Sequence, residues 1–297
     1  MPGGVPRTVA VIGTGRMGGA MAGTISRAGY EIILWNRDAA RAESVALACG
    51  ASVAVSAAEA ASNADVVVTS LADDAAVERV YLGPGGVVEG IGPGRVAADT
   101  STIDPSTVEE VGAAVDTTGA AFLDCPVSGS VSLVEAGTLT VMAGGDAEAI
   151  ERARPVLEAL AAKVVHTGGR GSGAATKLAI NGLVHALDVA LSESLVLAER
   201  AGVDRAIAYD VFASGATGAP FLQYKRAAFE DPEGTPVAFT LDLMAKDLEL
   251  ITGLAERVGA PMRQAETTLD IVRDALAEGY GERDMSQIAV FLRGGWA

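Results

Sequence analysis

Cysteine, histidine and lysine are scarce in this 297-residue chain, and each shortage excludes something. Two cysteines, Cys49 and Cys125, are too few for a disulfide framework. The two cysteines and two histidines show no metal-ligand spacing, so no metal site is expected. No run of about 20 apolar residues is free of charges and glycine, so no membrane span is expected. The first residues lack a charged segment followed by an unbroken apolar one and do not read as a secretory signal. Met1–Arg7 reads as a short disordered lead-in. Positive charge is also short: 22 Lys and Arg against 38 Asp and Glu leave a net charge of -16. That balance argues against nucleic acid and anionic membranes as partners. It does not exclude a small anionic ligand, which needs only a local positive site. The expectation is a cytoplasmic, soluble protein.

Apolar side chains are plentiful, at 49% of the sequence, enough to build the core of one large domain or two ordinary ones. Short apolar runs alternate with alanine-rich helical segments through the first half. Thr8–Gly13, Glu31–Trp35, Asp65–Ser70, Arg95–Asp99, Ala121–Asp124 and Thr138–Ala143 read as strands. Met17–Ala28, Ala39–Cys49 and Asp74–Tyr81 read as helices between them. This alternation implies a parallel sheet with right-handed crossovers, covered on both faces. Asp146–Leu160 reads as a helix opened by an aspartate cap, and Val164–His166 as a last strand. The glycine-rich stretch Thr167–Gly173 follows, and everything after it reads as helix. The expected fold is α/β: a dinucleotide-binding Rossmann-type domain over residues 1–167, then an all-α domain over 168–297.

Gly13-Thr14-Gly15-Arg16-Met17-Gly18 fits G-x-G-x-x-G, placed between the first strand and the first helix as that motif requires. The first glycine permits the tight turn, the second lets backbone approach a pyrophosphate, and the third lets helix pack on strand. The helix N-terminus then offers amide donors to phosphate. A site for NAD(P) is therefore expected on Gly13, Thr14, Gly15, Arg16, Met17 and Gly18.

The second strand ends at Trp35-Asn36-Arg37, with Asn36 23 residues after Gly13. NAD sites place a carboxylate here to grip the ribose 2′-OH. A neutral amide followed by a guanidinium suits a 2′-phosphate instead. NADP(H) is therefore expected over NAD(H), held in part by Asn36 and Arg37. Asp38 is either the NAD-type acid displaced by two positions or the N-cap of the next helix.

The helix around residues 174–200 is apolar on nearly every side, yet carries Lys177, Asn181, His185, Asp188 and Ser192 at spacings of 4, 4, 3 and 4. These fall on one stripe. A lysine on such a helix must face water or a polar cavity. There are only four lysines, Lys163, Lys177, Lys225 and Lys246, against eighteen arginines. Lysine is the cation that readily shifts its pKa and exchanges protons.

Four motifs recur in order over nearly the whole length. They are Gly13-x-Gly15-x-Met17-Gly18 with Met21-Ala22 and Ala28-Gly29; Asp124-Cys125-Pro126-Val127-Ser128-Gly129 with Gly137-Thr138-Leu139; Gly171-Ser172-Gly173 with Lys177 and Asn181; and Lys246-Asp247-Leu248-Glu249-Leu250. In these the chain resembles the β-hydroxyacid dehydrogenases, the family of 3-hydroxyisobutyrate dehydrogenase, tartronate semialdehyde reductase and glyoxylate/succinic semialdehyde reductase. The resemblance implies hydride transfer between nicotinamide and the carbonyl or hydroxyl carbon of a small hydroxy or oxo acid. It implies Lys177 as the acid/base, with Asn181 orienting substrate or lysine. It implies that Ser128, Gly129 and Ser130 hold the substrate carboxylate through backbone amides. Lys246 would lie near the substrate acid group and cofactor; its alternative is an exposed lysine paired with Glu249 or Asp242. Ser101, Thr102, Leu71 and Ala72 would line the cofactor cleft.

The chain departs from the family at Ser130, where a second glycine is usual, and at Leu133-Val134, where Gly-Ala is usual. These changes are expected to enlarge the substrate loop and restrict its backbone. They keep an imine reductase on the same scaffold in view, although such enzymes usually replace the Lys177 position. A non-catalytic cofactor-binding protein is the reading from another class. His185 and Asp188 are read as packing residues, and Phe212 and Phe239 as core or pocket. The apolar helix and the family habit together predict at least a homodimer through the helical domain.

Overall fold

A computed structural model describes residues 6–294, so most of the expected lead-in at Met1–Arg7 lies outside the described residues. The chain forms two compact units, Met1–Lys177 and Leu178–Ala297. The first contains β1 (Thr8–Ile12), α1 (Arg16–Arg27), β2 (Glu31–Trp35), α2 (Ala39–Cys49), β3 (Ser52–Val53), α3 (Ala57–Ser62), β4 (Val66–Thr69), α4 (Asp74–Leu82) and α5 (Val87–Gly90). It continues with β5 (Val96–Asp99), α6 (Pro105–Asp116), β6 (Ala121–Asp124), β7 (Val127–Ser128), α7 (Val131–Glu135), β8 (Leu139–Gly144), α8 (Ala147–Leu160) and β9 (Ala161–Gly168). Helix α9 (Ser172–Arg200) starts in this unit and runs into the second. There α10 (Arg205–Ser214), α11 (Pro220–Glu230), α12 (Leu241–Val258), α13 (Arg263–Ala277) and α14 (Ile288–Gly294) complete the fold.

The sheet of the first unit runs β3-β2-β1-β4-β5-β6-β8-β7, with β9 pairing β8. It is parallel from β3 through β6. Burial alternates along each strand. Val9 and Val11 enter one apolar cluster while Ala10 and Ile12 enter another, and Val66 and Val68 divide from Val67 in the same way. A strand buried on both faces reads as an unbroken apolar run, and each fully buried valine contributes roughly 1.5–3 kcal/mol.

The expected all-parallel sheet is corrected at its end, where β8 pairs antiparallel with both β6 and β7. The segment between β7 and β8 holds only the one-turn α7, too short for a crossover that restores parallel direction.

The division between the units falls inside α9, beyond the glycine-rich junction. The cause is local. Asp124, at the end of β6, accepts the N–H of Gly171 (3.0 Å) and of Ala174 (2.8 Å) and so holds the first turn of α9 on the sheet. A Cβ on Gly173 would come 2.5 Å from the carbonyl oxygens of both Asp124 and Met142. The Gly-Ser-Gly motif is therefore a packing requirement as well as a turn.

By length and composition α9 is the one helix among the described residues able to cross a membrane. Within the second unit, however, its Asn181, His185, Asp188 and Ser192 are buried with Leu178, Val189, Leu191 and Leu195. The apolar character serves that unit's core, built also from Tyr209, Phe229, Met244, Leu248 and Val272.

Candidate active site

One row of residues sets the geometry of the first unit. Trp35, Ile12, Thr69, Asp99 and Asp124 are register partners in turn across β2, β1, β4, β5 and β6. The residues just beyond them, Asn36, Gly13, Ser70-Leu71, Thr100-Ser101 and Cys125, therefore line a single carboxyl edge, where parallel sheets hold ligands.

The glycine loop fits a dinucleotide pyrophosphate. Gly13 has φ +90°, and a Cβ there would collide with the Ser70 carbonyl. A Cβ on Gly18 would land on the Gly13 carbonyl. A Cβ on Gly15 meets nothing within 4 Å, so its backbone faces open space at the start of α1. No side chain caps α1, which leaves its first amides directed outward for an anion. Arg16 is exposed and Met17 half-buried beside this opening, with Met17 packed on the core.

Asn36 ties the loop to β2. Its Oδ1 accepts the Thr14 N–H at 3.1 Å and its Nδ2 donates to the Asp38 carbonyl at 2.9 Å. Asp38 is the N-cap of α2, accepting the Ala40 N–H at 3.2 Å, and lies 3.6 Å from Arg41. The N-cap reading of Asp38 is thus seen in the structure. Arg37 is exposed beside this turn.

Ser101 is buried and accepts the Leu71 N–H at 2.9 Å, so its side chain fixes the loop carrying Leu71 and Ala72. Asp99 accepts the Ser101 N–H at 2.6 Å. Burial pushes the Asp99 carboxyl up to about 6; bonds from Ser101 and Thr69 oppose that, and Asp124 adds to it. Thr102 is half-buried on the same edge.

Ser128 pairs with Thr140 across β7 and β8. Gly129 has φ +143°, and a Cβ would come 2.6 Å from Leu139. Ser130 is extended at φ -105°, opens α7 and shares a 2.8 Å hydrogen bond with Ser132. Leu133 packs on the core and Val134 is fully buried. Val134 thus fills core, Leu133 packs between that core and Gly129 of the loop, and the extended Ser130 backbone needs no glycine.

Within the second unit a second cluster assembles around Asp247, a buried residue of α12. Asn181 Nδ2 donates to its Oδ2 at 2.6 Å, and Lys246 Nζ lies 2.9 Å from its Oδ1. His185 Nε2 is 3.6 Å from Oδ2, in ion-pair range rather than hydrogen-bond range. Burial pushes the Asp247 carboxyl up, but His185 and Lys246 outweigh it and hold it below the ordinary carboxylate range. Lys246 is half-buried and engaged with Asp247; Glu249 pairs instead with Arg273 at 3.0 Å. Lys177, also half-buried, stands one turn before Asn181 on α9. Lys225 has a structural place, buried with Asp284 at 2.7 and 2.9 Å. Phe212 and Phe239 are half-buried and pack on the helical core.

Two residues of this architecture were not singled out as site residues from the sequence. Asp124 was visible only as the first letter of a motif, and Asp247 only as the neighbour of Lys246. The usable signal for Asp247 was an acid between Lys246 and Leu248 in the middle of an amphipathic helix.

Comparison with known proteins identifies the family and the fold. Residues 8–168 match the model of the NAD binding domain of 6-phosphogluconate dehydrogenase. Residues 171–292 match the model described as NAD-binding of NADP-dependent 3-hydroxyisobutyrate dehydrogenase. An NAD-dependent L-serine dehydrogenase of Pseudomonas aeruginosa is 34% identical, over 95% of this chain and 96% of its own. A 3-hydroxyisobutyrate dehydrogenase structure from Salmonella typhimurium superposes with TM-score 0.88 at 30% identity, covering 96% of this chain and all of the other. The Mycobacterium tuberculosis 3-hydroxyisobutyrate dehydrogenase, solved with L-serine, gives TM-score 0.84 at 33% identity, covering 97% and 99%.

Proposed function

Because the chain belongs to the 3-hydroxyisobutyrate dehydrogenase family of NAD(P)-dependent oxidoreductases acting on CH–OH groups, we propose that it interconverts a small 3-hydroxy acid and its semialdehyde with NADP(H) as preferred cofactor and Lys177 as acid/base. The observation that carries the cofactor preference is the end of β2. A 2′-phosphate there meets the Asn36 amide and the Arg37 guanidinium, while the nearest acid, Asp38, is occupied in capping α2. Arginine pairs with phosphate in a bidentate fork, whereas an NAD-type carboxylate would repel that phosphate.

A bound nicotinamide cofactor would supply or take the hydride. The protein's part is charge and position. The Lys177 ammonium donates its proton to the substrate oxygen as alkoxide charge develops, and takes it back in the oxidative direction. Asn181, its amide turned by Asp247, orients the reacting oxygen. Ser128, Gly129 and Ser130 receive the carboxylate on backbone N–H groups, and Lys246, beside Asp247, is a further cation of the helical unit. The substrate is small and anionic, in the class named for the relatives. The same reading has the helical unit pair with a second copy, since Leu183 and Leu197 of α9 are 71% and 72% exposed, and it places the protein in the cytoplasm.

Steady-state kinetics with L-serine, 3-hydroxyisobutyrate and short semialdehyde acids test the reading. We expect kcat/KM with the NADP pair to exceed that with the NAD pair, and Arg37→Ala to raise KM for NADP(H) about tenfold, the size of one lost charge-assisted contact. A clear NAD preference overturns the cofactor assignment. Turnover of cyclic imines in place of hydroxy acids overturns the substrate class.

A further inference from the structure

His185 is a buried titratable group beside Asp247 that the reading above leaves without work. Its side chain is 2% exposed, and among the described residues neither ring nitrogen has a hydrogen-bond partner. Core positions nearby on α9 carry Leu178, Val189 and Leu195, so packing alone would be met more cheaply by a leucine. The ring is held in place. It stacks on Phe239, centroids 5.8 Å apart and planes 28° from parallel. The backbone of Phe239 is pinned in turn, its N–H donating to Asp284 at 3.2 Å and its carbonyl accepting from Met285 at 2.9 Å. The fixed ring presents Nε2 to Asp247 Oδ2 at 3.6 Å, on the oxygen that also receives Asn181.

We propose that His185 is a positioning residue for hydride transfer: it braces the Asp247 carboxylate in the rotamer from which Asp247 holds both the Asn181 amide and the Lys246 ammonium. A carboxylate bonded to one amide and one flexible lysine can still swing about its side-chain torsions. A third partner on a stacked, immobile ring removes that freedom. The separation closes to a hydrogen bond with a small rotation, as contacts in such sites commonly tighten when substrate binds. The ring nitrogen then gains the partner its burial demands. The role in turnover rests on the function proposed above; the contact itself does not.

Two measurements separate the two. The chain has only two histidines, His166 and His185, so the ring-nitrogen NMR spectrum of the 15N-histidine-labelled full chain contains two spin systems. The one lost in His185→Gln is His185. We expect Asp247→Asn to move the His185 ring-nitrogen shifts and leave His166 in place. Unchanged His185 shifts, or a response only to Asp188→Asn, overturn the contact. In kinetics with the best substrate of the panel, His185→Leu should lower kcat/KM about tenfold, with NADPH affinity by fluorescence unchanged. His185→Gln, which keeps a side-chain N–H, should recover most of the loss. In an Asp247→Asn background the leucine substitution should change kcat/KM less than about twofold, the non-additivity of residues acting through one another. An additive loss in the double variant overturns the positioning role. If His185→Leu does not fold, His185→Gln and the NMR response decide. If wild type turns over none of the panel, the proposed function falls while the NMR arm still judges the contact.

Discussion

Replacing Asp188 with asparagine should make the protein lose less stability as pH rises from about 4 to about 7. Asp188 is fully buried in α9, and neither carboxylate oxygen has a hydrogen-bond partner among the described residues. Burial pushes its carboxyl up to about 7, with Lys225 pulling it down and Asp284 pushing it further up. The unfolded chain should titrate near 3.9. The folded state therefore holds the proton more tightly than the unfolded state between those two values. Stability from this group is full below about pH 4, falls as pH rises toward 7, and is constant above. The whole excursion is about 4 kcal/mol at about 1.36 kcal/mol per pH unit, and between pH 5 and pH 8 it is about 3 kcal/mol. Asparagine does not titrate. Equilibrium urea unfolding of wild type and Asp188→Asn at pH 5 and pH 8, followed by circular dichroism, isolates this group, because the other titrations cancel in the difference. We expect Asp188→Asn to gain about 3 kcal/mol on wild type between the two pH values. Parallel curves would refute the claim that a proton resides on Asp188 in the folded state.

Two further outcomes follow from particular contacts. Lys225→Met leaves the buried Asp284 carboxylate without its cation and should destabilise the helical unit by about 3–5 kcal/mol, read as a lowered urea midpoint; loss of less than about 1 kcal/mol would mean that the Asp284 bonds from Ala238 and Ser286 suffice. Gly18→Ala places a methyl on the Gly13 carbonyl, so NADPH binding by fluorescence should weaken at least tenfold, and unchanged affinity would show that the loop relaxes freely.

The Rossmann unit was legible because its strands are buried on both faces, so apolar runs such as Val66–Thr69 stand out against their flanks. The caps Asp38 and Asp146 were readable for the same local reason, with each aspartate directly ahead of an alanine-rich helix. Apart from the 12-residue α6, whose Asp104 cap was equally local and went unread, what escaped was short or non-local. Ser52–Val53 and Ala57–Ser62 are too brief to show a period, and the turn of β8 against β6 depends on the length of a connection rather than on any residue type. Lys177 and Asn181 were visible as a stripe on one helix. Asp247, which bonds Asn181 from 66 residues away, could not be reached by periodicity on either helix alone. The departures at Ser130 and Leu133-Val134 looked like changes to a ligand loop, because sequence spacing does not show that Val134 points into core.

The central claim is that Lys177 carries the proton in hydride transfer, and turnover of Lys177→Ala beside wild type tests it most directly. With the preferred hydroxy or semialdehyde acid, the variant should keep wild-type NADPH affinity by fluorescence titration and lose about 10²–10⁴-fold in kcat. A variant that binds cofactor normally and turns over within about threefold of wild type would contradict the account.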